Sequence, residues 1–206
     1  MTTPELGGTI DAEAVEDERI DDDVEIVEDE AALAAADRPA STWRRPSLGR
    51  WVIFAALAIT VVVLDQLSKA WLIATVAPGD APVLVLGDLL RVVHGQNSGM
   101  LFGMLPQSAP IFAVVSIGVT GLIVVYHAKA GRGIVTTLAL GLLLGGAIGN
   151  LLDRLNHGYV VDWIDMGIGA VRFWTYNVAD ACITTAIVLL LAMAIVPRIS
   201  ELGADG

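Results

Sequence analysis

Four stretches of this chain, roughly Trp51–Ala74, Ala109–His127, Ile134–Leu152 and Val178–Val196, stay apolar for the length of a bilayer crossing. A hydrocarbon core of about 30 Å takes about 20 helical residues, so the sequence predicts four transmembrane helices, and with them a mainly α, integral membrane fold. Composition agrees, since 55% of the 206 residues are hydrophobic and gathered in these runs. Basic residues cluster as Arg44, Arg45 and Arg50 before the first span, Lys129 and Arg132 between the second and third, and Arg198 after the fourth. The positive-inside rule then puts both termini in the cytoplasm. The larger pieces, at about residues 75–108 and 153–177, face outward.

The net charge of -11 resolves by position. Residues 1–40 carry 14 acids against Arg19 and Arg38, net -12, which leaves about +1 for the rest. A block such as "EDERIDDDVEIVEDE" has too little apolar surface to offset the entropy of ordering, so residues 1–43 read as a disordered acidic cytoplasmic tail, dispensable for chemistry. The membrane domain then spans 44–200, with a short C-terminal tail at 201–206. The first apolar run begins at Trp51 and is of spanning length, which makes it a signal anchor rather than a cleavable leader. The single cysteine, Cys182, forms no internal disulfide and sits inside an apolar helix, where packing is its expected role.

Between the spans, "VLVLGDLLRVV" and the pair "VVDWIDM" and "VRFWTYN" are short, β-branched or aromatic, and bounded by glycine or proline. They predict small β-elements on the outer surface. A hairpin reversing near Ile168 would carry the chain from Asp162 outward and back to Asp180. Gly141, Gly145 and Gly149 recur every four residues and predict close helix packing in the third span.

Ionisable residues bordering membrane spans are costly to keep and suggest function. Asp65 and Lys69 lie four apart, acid before base, in "LDQLSKAWL". Asp65 is about 21 Å along the helix from Trp51, in the outer half of the bilayer, and a supporting ion pair is favoured over direct catalysis. Asn150, Asp153 and Arg154 in "GNLLDRL" close the third span, where helix termination alone could account for the last two. Asn97 in "NSGMLFG" could be a turn residue. All converge at one depth.

Other hydrolytic sites lack their parts. His94, His127 and His157 are scattered, read as interfacial or loop residues, and form no zinc motif. No serine stands in a GxSxG setting, and Cys182 has no neighbouring histidine. Two carboxylates remain, Asp162 and Asp180. Forced together, two acids cannot both ionise comfortably; one pKa rises and the pair holds a shared proton. That supplies an acid and a base for attack of water on an amide.

With these residues in view the chain resembles the lipoprotein signal peptidases, signal peptidase II. The likeness covers about residues 50–198 through five motifs in order: "DQLSK", "NSGMLFG", "GNLLDR", "VVDWID" and "YNVADACI". It implies four transmembrane helices with a small extracytoplasmic β-cradle and a segment lying along the membrane surface. It also implies an aspartic endopeptidase that cuts bacterial prolipoproteins before the diacylglyceryl-modified cysteine. By motif, Asp162 and Asp180 are the catalytic dyad, and Asp165 is excluded. Asn97, Asn150, Arg154 and Asn177 fall on positions for substrate binding or dyad support; Asp65, Lys69 and Asp153 are structural support.

The resemblance further implies a multi-pass protein of the bacterial cytoplasmic (inner) membrane with its site near the extracytoplasmic surface. Membrane lipid and lipidated precursors are the expected partners. No metal, cofactor, nucleic acid or obligate protein partner is expected. Met100 and Leu101 stand where small residues are common, and Tyr176 where phenylalanine is common. The main rivals are a proton-coupled transporter and a membrane scaffold. A presenilin or prepilin-peptidase type fits poorly, because "VLGD", ending at Asp88, has valine in place of the first glycine of GxGD.

Overall fold

The computed structural model describes residues 45–98, 109–131, 133–196 and 198–201. The acidic stretch 1–43, Arg44, Met100, Leu101, Arg132 and the residues after 201 lie outside these. Helices α1 (Leu48–Thr75), α2 (Ala109–Ala130), α3 (Ile134–His157) and α4 (Val178–Ile195) are each long and apolar enough to cross a membrane, and a single turn, α5 (Arg198–Glu201), follows. Ser47 starts α1 by accepting from the Arg50 N–H, which satisfies one of the donors a helix leaves unpaired at its start.

Helix α3 runs five residues past the predicted end at Leu152, to His157. The apolar pattern stops at Leu152, but the polar residues that follow are good enough helix formers to continue. The helix ends at Gly158, whose φ of +77° allows the left-handed turn and whose N–H donates to the Arg154 carbonyl. The extension brings Asp153 and Arg154 into the last turns of the helix.

Most of α3's spanning stretch is buried, while the other three helices turn most of their surface outward. Phe54, Ala58, Ile123, Leu140 and Leu144 form the core where α1, α2 and α3 meet. The glycine stripe sets how closely α1 approaches. A Cβ on Gly141 would lie 3.2 Å from Leu57, on Gly145 2.6 Å from Val61, and on Gly149 2.6 Å from the Asp65 carboxylate. Small residues at four-residue spacing thus meet three α1 residues at the same spacing. Gly146 does the same toward α4, with Ala179 O 2.6 Å from its would-be Cβ.

The predicted outer β-elements form one four-stranded sheet, β1 (Val83–Leu86), β2 (Leu90–Asn97), β3 (Val160–Ile168) and β4 (Val171–Arg172), antiparallel in that order. The hairpin reverses where expected: Ile168 pairs with Val171, and Gly169 turns the chain at φ +57°. Leu72, Val76, Val92 and Val161 join the sheet to the end of α1. In the β2–β3 register Gly95 faces Asp162 and Asn97 faces Val160. Asn97 therefore closes a strand; it is not merely a turn residue.

Candidate active site

The acid at the mouth of the fourth span is part of the device that starts the helix. Asn177 is the N-cap of α4, and its side-chain oxygen accepts from the Asp180 N–H at 2.9 Å. The Asp180 carboxylate returns the bond by accepting from the Asn177 N–H at 3.3 Å. This reciprocal capping box satisfies two orphan donors at once, and the positive end of the helix dipole favours a negative group there. Asp180 is half-buried, so water reaches it.

The same asparagine holds Asp162. Its side-chain amide donates to Asp162 Oδ1 at 2.8 Å and lies 3.3 Å from the Val161 carbonyl. Because that carbonyl can only accept, the amide nitrogen is fixed on this side and the oxygen on Asp180's. Asn97, from the end of β2, donates to Asp162 Oδ2 at 3.1 Å. Asn150 Nδ2 donates to Asp180 Oδ1 at 2.7 Å. The two residues, 18 apart in sequence, are thus both tied to Asn177, Asp162 by its carboxylate on the side-chain amide and Asp180 by its own N–H on the amide oxygen and its carboxylate on the Asn177 N–H.

Burial, with the Asp180 charge adding to it, pushes the Asp162 carboxyl up from 3.8 to about 6. Asp165, three residues on, is held the other way. Burial works to raise its pKa, but hydrogen bonds from Arg172 and Arg91 prevail and hold it below the usual carboxylate range. Arg91 Nη2 lies at 2.6 Å and Arg172 Nε at 3.0 Å. Asp165 is thus committed to two guanidinium groups that link β2, β3 and β4.

Support comes from α1 and α3. Lys69 Nζ lies 2.7 Å from Asp65 and 2.9 Å from Asp153, all three buried. Asp65 accepts from the Ala179 N–H at 3.0 Å, which gives α4 a second cap from another helix. Asp153 accepts from the Val161 N–H at 2.9 Å, beside Asp162. Arg154 donates to the Asn150 carbonyl at 3.2 Å, its guanidinium 5.8 Å from the Phe112 ring centre. It lies near enough to Asp180, Asp153 and Asp162 for their charges to act on it.

Reasoning from the sequence did not single out Gln66, although it lies in the "DQLSK" motif. Its amide donates to Asp153 at 2.9 Å and lies 3.2 Å from both Asp65 and the Gly149 carbonyl, so it bridges α1 and α3. The available signal was a polar side chain three residues before Lys69, on the same helical stripe. Arg91 and Arg172, the partners of Asp165, were also passed over as ordinary strand residues.

Among the described residues the histidines have partners of their own, other than Asp162 and Asp180. His94 Nδ1 is 2.6 Å from the Val76 carbonyl, and His157 is 5.7 Å from the Tyr159 ring. His127 is fully buried, stacked 4.0 Å from Phe54 and edge-on to Trp51. It is a core residue rather than an interfacial one, because an aromatic pocket on α1 receives its ring. Cys182 is half-buried in the second turn of α4. Beside Tyr176 an open apolar hollow of about 830 Å3 runs along β3 and β4, lined by Leu89, Met166, Ile168, Val171 and Phe173.

The Asp162 shift has a thermodynamic consequence. An acid whose folded pKa exceeds its unfolded value binds its proton more tightly when folded, so stability falls as pH rises from about 4 to 6 and is level above. A shift of about two units is worth about 3 kcal/mol. Asp162→Asn removes this dependence, and any loss from turning an amide toward Asn97 or Asn177 is the same at every pH. Between pH 4 and pH 7 the variant's stability relative to wild type is expected to rise by about 2 kcal/mol. Unfolding in detergent at the two pH values measures it, and a gap that stays constant contradicts the burial argument.

Comparison with known proteins finds relatives over most of the membrane-spanning part of the chain. The family described as "Signal peptidase (SPase) II" matches residues 57–196. A lipoprotein signal peptidase of Syntrophomonas wolfei is 35% identical over 138 residues, 66% of this chain and 89% of that one. The lipoprotein signal peptidase of Staphylococcus carnosus is 36% identical over 136 residues, 66% of this chain and 85% of its own length. Two solved bacterial membrane enzymes superpose with TM-scores of 0.66 and 0.67 at 28% and 26% identity, covering 75% and 80% of this chain and 97% and 99% of theirs. With so much of its membrane domain matched, and in a fold shared with solved membrane enzymes, the chain belongs to the signal peptidase II family.

Proposed function

We propose that this chain is a membrane aspartic endopeptidase that removes signal peptides from diacylglyceryl-modified bacterial prolipoproteins, with Asp162 and Asp180 as its catalytic dyad. The observation that carries the reading is Asn177, whose backbone and side chain hold Asp180 while its amide holds Asp162. One carboxylate takes a proton from water as the water oxygen bonds to the scissile carbonyl carbon. The partner acid shares its proton with the carbonyl oxygen. Collapse of the tetrahedral intermediate breaks the C–N bond, and the proton taken from water leaves on the new amine. The pair, rather than either residue, holds the one proton that remains; Asp162 is the member that burial drives toward the neutral form.

Substrate chemistry fits the position. A diacylglyceryl group leaves the bilayer at a cost of about 0.8 kcal/mol per CH2, so the peptide bond beside it must be cut where lipid and water meet. Asp180 opens an apolar helix and Asp162 lies on the sheet beyond it. The positive-inside pattern supports both termini in the cytoplasm and the site on the extracytoplasmic side. Asn97 and Arg154 line the approach as substrate-binding groups, and Asn150 and Asn177 orient the dyad.

The test is a mass-shift assay on purified enzyme with a diacylated preprolipoprotein and its unlipidated precursor. Cleavage before the modified cysteine in the first alone is expected. A chain lacking residues 1–43 should cleave equally well, which would assign the chemistry to residues 44–206. Absence of cleavage in a well-folded preparation would return the chain to the transporter or scaffold class.

A further inference from the structure

We propose that Lys69 is a positioning residue for Asp180, acting through the side-chain amide of Asn150; this rests on the dyad reading above. The argument is a count of protons. Lys69 has three N–H groups and no acceptor. Three acceptors surround it: Asp65 Oδ2 at 2.7 Å, Asp153 Oδ2 at 2.9 Å and Asn150 Oδ1 at 3.3 Å. A side chain that can only donate forces the Asn150 oxygen toward itself, and the other end of that planar group is then necessarily N–H. That end meets Asp180 Oδ1 at 2.7 Å.

A second donor also faces the Asn150 oxygen, but it is overcommitted. Asn177 Nδ2 has two hydrogens for three acceptors: Asp162 Oδ1 at 2.8 Å, Asn150 Oδ1 at 3.2 Å and the Val161 carbonyl at 3.3 Å. It can abandon Asn150 and stay satisfied. Lys69 cannot turn away without leaving a buried N–H unpaired. The lysine therefore fixes the amide. Reversed, Asn150 would point its oxygen at Asp180, an acceptor facing a carboxylate that must itself accept a proton from water.

On this reading the buried Asp65–Lys69–Asp153 group does more than link helices. Charges from α1 and α3 hold one N–H on an acid of α4. The effect belongs to the chemical step, because Lys69 is 2% exposed and reaches Asp180 through Asn150 rather than through solvent.

The experiment separates this from a counterion role. Removing Lys69 alone leaves two buried acids unpaired, so the cycle is built on Asp153→Asn. The pair Lys69→Met/Asp153→Asn keeps the wild-type net charge of the triad. Relative both to wild type, whose net triad charge it keeps, and to Asp153→Asn, the pair is expected to lower kcat at least tenfold with KM within threefold. Asn150→Ala should lower kcat by a similar factor, and in that background Lys69→Met should cost nothing more. Unchanged kcat in the charge-balanced pair, or an equal loss with Asn150 already absent, would overturn the inference. If the pair fails to insert, Asn150→Asp decides. It keeps an acceptor for Lys69 but has no N–H for Asp180, and full turnover would overturn the inference equally. Failure of the dyad reading looks different, because Asp180→Asn would then stay active whatever the cycle showed.

Discussion

Asp180→Asn and Asp162→Asn are each expected to lower kcat for cleavage of a diacylated precursor by about 10²–10⁴-fold, the range general acid–base catalysis supplies, while the protein stays folded and inserted. At Asp180 an amide oxygen can still accept from the Asn177 N–H, so α4 keeps its cap. What is lost is a group able to take or give a proton at neutral pH. At Asp162 the amide keeps the shape between Asn97 and Asn177 and likewise cannot exchange a proton. Because the two acids act as a unit, the double variant should be scarcely worse than either single one. Single-turnover cleavage at matched protein levels reads the effect, and near-normal turnover in either single variant would falsify the dyad.

Gly149→Val is expected to abolish activity by dismantling the site's foundation. A Cβ there falls 2.6 Å from the Asp65 carboxylate and 3.4 Å from Ala179 Cβ. Asp65 cannot swing aside, since Lys69, Gln66 and the Ala179 N–H all hold it. Overpacking costs about 1–3 kcal/mol, and prising Asp65 from Lys69 adds about 3–5 kcal/mol for a broken buried pair. Gly118 on α2 is the control: nothing lies within 4 Å of its would-be Cβ. Gly118→Val should change stability by no more than about 0.5 kcal/mol. Unfolding midpoints in detergent compare the two, and equal values would mean that α1 does not approach α3 as closely as described.

The spans were legible because a membrane helix needs only length and apolarity, which each segment carries in itself. The glycine stripe was legible for a related reason: its period is that of the helix, and so is that of Leu57, Val61 and Asp65 opposite. The end of α3 was misread because hydropathy marks where lipid contact stops, whereas the helix stops at the first residue that allows a left-handed turn. Asp162 and Asp180 could be picked out as acids in costly places. Nothing local said that Asn177 would hold both, since that depends on a hairpin folding back. Gln66, Arg91 and Arg172 escaped notice because each is unremarked in its own segment and gains meaning only from partners more than 70 residues away, or across a turn.

Several donors around Asp162 and Asp180 are already spoken for: Asn177 and Lys69 spend their N–H groups within the protein, and Asn150 gives one to Asp180. Among the described residues, an inhibitor entering this site therefore finds unclaimed hydrogen-bonding capacity mainly in the two acids and in the Arg154 guanidinium, which gives one N–H to the Asn150 carbonyl. A hydroxyl or amine aimed at the carboxylates and an acceptor aimed at Arg154 would use most of that capacity. Affinity would have to come from greasy bulk, laid against the hollow beside Tyr176 or partitioned into the surrounding lipid. Compounds optimised for aqueous solubility would be selected away from this target by the protein's own economy of protons.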